Sequence, residues 1–405
     1  MPAMLGRRRW WMAVAALGAA TMGLCGCDNK SKDAPAGSDR PAAPGASEPW
    51  KVGAYLSLSG AETQFGIETK EGIELATDAI NAKGGVKGRQ IKVLYEDDKS
   101  NPQETNNKVL QLINRDKVVA LLGEVSSSRS KIGGIVANKY KVPMITPSST
   151  SPEVTQVGPF VFRVCFTDDE QGKLGAEFVV KTLNKKKVGL IYASDDLYSA
   201  GLAQQFKDAV VQRGGAVTIE KSFPKTETNF TTYINELRDA KPEIIYAPVY
   251  YSSMVPIARQ AKAAGVPGSM FVGGDGWDAD TLLADAGEEL EGAMFTNHYA
   301  PDVPWPNAQA FLKAYKERFK HEPTSLGAMG YDAALMLYDA MGRAKADTPE
   351  AIRDAIAETK GFEGATGTIA IDAERNADKA VVIVQIKGKK FTYYTTVNDK
   401  PAAKP

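Results

Sequence analysis

A doubly wound α/β architecture built on parallel sheets is the fold class this sequence predicts, and three observations carry it. From Trp50 on, short apolar runs of strand length alternate with amphipathic helical segments, the order expected of βαβ units. The alternation runs through to Thr146 and restarts at Val188, so two such lobes are expected rather than one. Gly84-Gly85, Gly214-Gly215 and Gly265 fall just past a helical pattern and just before a strand, where a left-handed cap is needed.

Taken in order, Val52 to Leu58 reads as the first strand, followed by a helix with Ile73, Ala76 and Ile80 on one face. Ile91 to Tyr95 is the next strand, and the helix after it presents Val109, Leu112 and Ile113. Val118 to Leu122 is a strand, Ile132, Ile135 and Val136 mark the apolar face of the next helix, and Pro143 to Thr146 is again a strand. The second lobe offers strands at Val188–Ala193, Ala216–Phe223, Glu243–Val249 and Met270–Gly273. Helices around 202–212, 230–239 and 254–264 separate them. Beyond Ala293–Tyr299 the pattern changes to three helices, at 308–319, 328–344 and 349–358, and then to strands at Gly367–Ile371 and Val381–Ile386. The tail ends in Pro and Ala without a pattern.

The start of the chain has a different logic. Arg7, Arg8 and Arg9 precede an apolar run from Trp10 to Met22 that is too short for a permanent membrane helix, which is the layout of an export signal. Leu24, Gly26 and Cys27 then resemble the bacterial lipoprotein lipobox, so residues 1–26 are expected to be a signal peptide and Cys27 the lipidated first residue of the mature protein. The arginine pair beside Trp10-Trp11 leaves general and twin-arginine export both open. Residues 27–49 are rich in Lys, Ser, Asp, Pro, Ala and Gly and lack large apolar side chains, so they read as a flexible tether between a membrane anchor and the lobes.

Composition excludes several functions. The 49 Lys and Arg balance 49 Asp and Glu, with no basic block and no interleaved aromatics, so the footprint of a nucleic-acid binder is missing. About 355 residues follow the tether, too many for one ordinary core, and two domains are the prior. Cys165 is the one cysteine of the three outside the signal and anchor, and its apolar neighbours Val161 to Phe166 mark it as a buried strand residue. The two histidines, His298 and His321, have no metal-ligand spacing, so no metal or cofactor is expected. There is no G-x-S-x-G elbow, Walker A loop, H-E-x-x-H or complete G-x-G-x-x-G, and no enzyme is expected.

Polar residues gather instead in loops that follow strands, where open α/β sheets collect ligands. Gly123-Glu124-Val125-Ser126-Ser127-Ser128 opens a helix, and Thr146-Pro147-Ser148-Ser149-Thr150 follows the next strand. Free N–H groups beside hydroxyls suit an anion such as a carboxylate, although Ser127 and Ser149 also suit plain helix capping. Asp275, flanked by glycines in Gly273-Gly274-Asp275-Gly276, can reach a desolvated ammonium without steric hindrance; a turn-forming Asp is the plainer alternative.

These segments resemble the leucine/isoleucine/valine-binding type of periplasmic substrate-binding lipoprotein, the soluble receptor of an ABC importer. The resemblance runs from about Trp50 to about Lys390 and includes Leu56-Ser57-Leu58-Ser59-Gly60 with Gln64-Phe65-Gly66, Ile80-Asn81-Ala82-Lys83-Gly84-Gly85, Val142-Pro143-Met144-Ile145-Thr146-Pro147, Phe162-Arg163 before Asp168, and the loops just described. It implies a type I periplasmic-binding-protein fold, two α/β lobes joined by three crossovers with the ligand in the cleft. Lobe 1 would be 50–168 and 299–375, and lobe 2 169–298 and 376–405. It also implies that Ser127 and Thr150 hold the ligand carboxylate, that the Ser148 carbonyl and Asp275 meet the ammonium, and that Tyr198, Tyr250 and Phe65 line the pocket. Two departures stand out: Asp275 replaces an expected Glu, and Ser126 stands where some members place a disulfide cysteine.

A monomeric, extracytoplasmic, membrane-anchored receptor that delivers a branched-chain amino acid to an ABC permease is therefore the leading expectation. The same family includes receptors for amides, urea and aromatic acids, and a sensory module with the same cleft or, in another class, an extracytoplasmic hydrolase are the competing readings.

Overall fold

The computed structural model describes residues 48–397; the signal segment, Cys27, the tether up to residue 47 and the tail from residue 398 lie outside the described residues. The first sheet unit is built in strict alternation: β1 (Trp50–Leu56), α1 (Thr63–Ala82), β2 (Ile91–Asp97), α2 (Pro102–Asn114), β3 (Ala120–Leu122), α3 (Ser127–Tyr140), β4 (Met144–Thr146), α4 (Glu153–Gln156) and β5 (Val161–Arg163). Its strands run parallel in the order β2-β1-β3-β4-β5. Both faces are covered, which is why these strands read as nearly continuous apolar runs. On β1, Val52, Ala54 and Leu56 face the helix carrying Ile73 and Ala76, while Tyr55 points the other way toward Leu112 and Val136.

The chain then crosses through α5 (Asp168–Glu177), extended by a π-helical turn at Phe178–Thr182, into the second unit. This comprises β6 (Lys187–Ala193), α6 (Leu197–Gln212), β7 (Ala216–Phe223), α7 (Thr231–Asp239), β8 (Ile244–Ala247), α8 (Tyr251–Ala263), β9 (Phe271–Gly273), α9 (Asp280–Ala286) and β10 (Met294–Asn297). It returns through α10 (Pro306–Phe319), α11 (Ser325–Arg343) and α12 (Pro349–Ala357) to the first unit, where α11 packs on α1. The two helices approach backbone to backbone, since a methyl on Gly72 would collide with the Gly327 carbonyl. A small antiparallel sheet of β11 (Phe362–Gly364), β12 (Gly367–Ile371) and β13 (Ala377–Asp378) leads to β14 (Val381–Lys387) and β15 (Lys390–Val397). These last strands join the second sheet, whose order is β15-β14-β10-β9-β8-β6-β7.

Several expectations need correction. The first strand ends at Leu56, because Asp97 Oδ1 accepts from the Leu58 and Ser59 amides (2.9 and 3.1 Å) and pulls them into a turn. Ile135, expected on the buried face of its helix, is 52% exposed. That helix, α3, buries Val136 as expected, but with Ser130, Gly133, Gly134 and Ala137 beside it, and it lies so near β1 that a methyl at Gly133 would collide with the Tyr55 ring. Cys165 is fully buried, as expected, but lies beyond the end of β5 rather than in the strand. Lys390–Val397, where no strand is expected, forms β15, an edge strand in which only Phe391 is buried, so two-fold burial leaves little trace in its sequence. Gly84, Gly85, Gly214 and Gly265 all have positive φ, as a left-handed cap requires. Among the described residues no helix is long and apolar enough to cross a membrane.

Candidate ligand-binding site

The loops at the carboxyl ends of the parallel strands of the two sheets converge on one small cavity. Phe65, Ser127, Ser148, Thr150, Tyr198, Tyr250 and Asp275, all chosen from the sequence, line it together. Val125, Gly276, His298, Ser325 and Leu326 line it as well and were not anticipated.

At one end stand hydroxyls. The β3–α3 turn places Ser126 at the cap position without a side-chain cap bond, so the first turn of α3 keeps donors free, and Ser127 follows it. Ser127 Oγ accepts from the Ser151 amide at 3.2 Å. Ser149 does not cap a helix: its hydroxyl is buried against Ser130 Oγ (2.6 Å) and the Val125 carbonyl (2.7 Å), which braces the two loops together. The hydroxyl of Ser148, by contrast, is buried and makes no hydrogen bond within the protein, and that of Thr150 is buried beside the Asp168 carboxyl. A buried hydroxyl without a partner carries a cost that a polar ligand would remove.

The loop itself is held from behind by Arg129. Its guanidinium lies 2.9 Å from Glu62, 3.1 Å from Glu124 and 3.5 Å from Asp98, all nearly fully buried. Glu124 in turn accepts from the Ser126 amide at 2.6 Å and from Ser57 Oγ at 2.8 Å. Burial, with the Glu124 charge acting in the same direction, pushes the Asp98 carboxyl up to about 7.

Facing the hydroxyls from the second unit, Asp275 follows β9 in a short 3-10 turn and is only 8% exposed. Gln171 fixes it from both sides, donating to Oδ1 at 2.9 Å and accepting from the Asp275 amide at 3.0 Å. His298 Nε2 lies 3.3 Å from Oδ2, and its ring stacks on Phe166 with centroids 3.8 Å apart. Burial drives the His298 pKa down to about 4, so the ring is neutral at physiological pH and serves as a hydrogen-bond partner rather than a counter-charge. Asp168, fully buried nearby, has its carboxyl pushed well above the usual range by burial and then by Asp275.

Aromatic rings enclose the space between. Tyr198 and Tyr250 stack with centroids 4.9 Å apart and planes 14° from parallel, and Phe65 meets Tyr250 edge-on at 5.7 Å. The Tyr198 hydroxyl accepts from the Gly276 amide at 3.0 Å, tying the ring to the Asp275 loop. Val125 and Leu326 add aliphatic wall. Hydroxyl and amide donors on one side, a carboxylate on the other and an apolar lining between can grip both charges of a small zwitterion while desolvating an apolar body. Among the described residues no cluster of His, Cys, Asp and Glu could hold a metal ion.

Several known proteins are similar to this chain as a whole. A leucine-binding protein of Thermotoga maritima superposes with a TM-score of 0.82 at 35% identity, covering 86% of this chain and 99% of its own. The substrate-binding protein of a branched-chain amino acid transporter of Streptococcus pneumoniae, solved in complex with isoleucine, gives 0.81 at 30% identity, with 86% and 99% covered. A Leu/Ile/Val-binding protein homologue of Brucella melitensis is 29% identical over 323 residues, 78% of this chain and 86% of that protein. The fold is thus the two-lobed type I periplasmic-binding fold, and the profile of the family described as periplasmic binding protein matches residues 49–390. The chain belongs to the periplasmic binding protein family.

Proposed function

We propose that this protein is the extracytoplasmic receptor of an ABC importer and captures a branched-chain aliphatic amino acid by closing two lobes over it. Lobe 1 comprises 50–168 and 299–375, and lobe 2 comprises 169–298 and 376–405. Ser127 and Thr150, with the amides at the start of α3, take the carboxylate; the Ser148 carbonyl and Asp275 take the ammonium; Phe65, Tyr198 and Tyr250 cover the side chain. Lipid on Cys27 holds the receptor to a membrane face, and the tether leaves the lobes free to meet the permease as a monomer.

The observation that carries the reading is the pairing of buried hydroxyls, that of Ser148 without a partner, with Asp275 across one small aromatic-lined cavity. The names of the relatives support the ligand class: leucine for the Thermotoga maritima protein and isoleucine for the Streptococcus pneumoniae complex. Isothermal calorimetry of the purified protein with leucine, isoleucine and valine tests it. Saturable heat with these three supports the assignment; no heat with them, together with binding of an amide or an aromatic acid, overturns it.

A further inference from the structure

One ion pair joins the two lobes at the edge of the cleft. Glu62, just before α1, is 1% exposed, and one of its oxygens is held 2.9 Å from Arg129 on α3. The other lies 3.1 Å from Lys225 Nζ, which comes from the loop between β7 and α7 in the second unit. The same ammonium is 3.1 Å from Asp196, a buried carboxylate that caps α6 by accepting from the Ser199 amide at 3.0 Å. Lys225 Nζ also sits 4.9 Å from the centroid of Tyr250, which lines the ligand cavity. Three neutral contacts cross beside it: the Gln64 amide donates to Tyr251 Oη at 3.3 Å, Tyr251 Oη donates to the Ala61 carbonyl at 3.1 Å, and the Leu197 amide donates to Ser128 Oγ at 3.4 Å.

We propose that Lys225 is a positioning residue that latches the lobes shut: its ammonium is shared between Asp196 of its own lobe and Glu62 of the other, and it holds Tyr250 over the bound ligand. Without that cation, closure would bring two buried carboxylates toward each other across the cleft. On opening, neither charge is orphaned, because Glu62 keeps Arg129 and Lys225 keeps Asp196. The pair is therefore made and broken with little desolvation left uncompensated, which suits a latch better than a permanent clamp. Its action falls on ligand release, where close charge pairs at an interface exert most of their effect. Lys225 is about a third exposed, so the latch weakens with salt. This inference rests on the closing-receptor reading of the cleft.

Hydrogen exchange of the purified full-length protein without amino acid reads closure at Gln64 and Leu197, whose amides donate across the cleft. In Lys225→Met both should exchange at least about fivefold faster with β1 and β6 amides unchanged, and in Lys225→Arg both should stay within about twofold of the parent. Stopped-flow fluorescence with leucine should show release about tenfold faster in Lys225→Met, with association changed less than about threefold. Added salt should speed release from the parent but not from Lys225→Met. Parent-like exchange and release in Lys225→Met overturn the latch. So does a Lys225→Arg variant as impaired as Lys225→Met, which assigns the loss to shape rather than charge. If the parent binds no leucine, the ligand assignment fails, and the exchange measurement still decides the latch.

Discussion

Replacing Asp275 by Asn removes one charge from the cavity while keeping the side-chain volume. The surroundings tolerate the swap: Oδ1 can go on accepting from Gln171, and neutral His298 can change tautomer so that Nε2 accepts from the new amide. With Asp275 only 8% exposed, an ammonium about 3.5 Å away gains roughly 5 kcal/mol at an effective dielectric constant of about 20. Some of that survives as a dipole interaction with Asn, so a loss of about 2–5 kcal/mol is expected, or roughly 30-fold to several-thousand-fold in Kd. Calorimetry with leucine measures it, and a second ligand apportions it. For 4-methylpentanoate, which is leucine without its ammonium, parent and variant should differ by less than about 1 kcal/mol, because the group that Asp275 serves is gone. Equal losses for both ligands, or unchanged leucine affinity in a variant with the parent's melting temperature, would refute the ammonium site.

Ser127→Ala should weaken leucine binding by about 1–2 kcal/mol, less than the Asp275 change, since one hydroxyl among several donors is lost; calorimetry checks this too. His298 makes stability pH-dependent with a definite sign. Its folded pKa of about 4 lies below the ordinary value of 6.5, so the unfolded chain binds the extra proton and stability falls as pH drops between these values. Because buried carboxyls with raised folded values, such as Asp98 at about 7, titrate with the opposite sign in the same window, the His298 share is read as a difference: on urea unfolding the parent should lose up to roughly 3 kcal/mol more than His298→Gln as pH drops from 6.5 to 4. Cys27→Ser should move the protein from the membrane to the soluble fraction and abolish palmitate labelling, with leucine affinity unchanged.

The sequence exposed what strand order and loop chemistry control. Ser127, Thr150 and Asp275 were legible because each sits in a polar, glycine- or serine-rich loop directly after a strand, and parallel sheets bring such loops to one edge. His298, Ser325 and Leu326 were not, because they enter the cavity where the chain passes back from the second unit, and no local pattern marks a crossover. Ile135 misled for a physical reason: α3 packs against Tyr55 mainly by small residues beside Val136, so only part of its apolar stripe marks its inner face. The ion network around Arg129 was invisible as well, since Glu62, Asp98, Glu124 and Lys225 are ordinary surface residue types until folding desolvates them together.

The packing of α11 on α1 also has a consequence for how the chain matures. All five strands of the first sheet have been made once Arg163 exists, yet the helix that seals one face of that sheet begins only at Ser325. α1 and α11 touch backbone to backbone, with no side chain at Gly72 to act as a spacer. A polypeptide emerging from its amino end thus leaves Ile73 and Ala76 half covered until most of the second sheet has also emerged. Such late, long-range closure slows folding. If residues 1–26 act as the export signal that they resemble, such a delay would leave the chain unfolded for longer while it is threaded across a membrane.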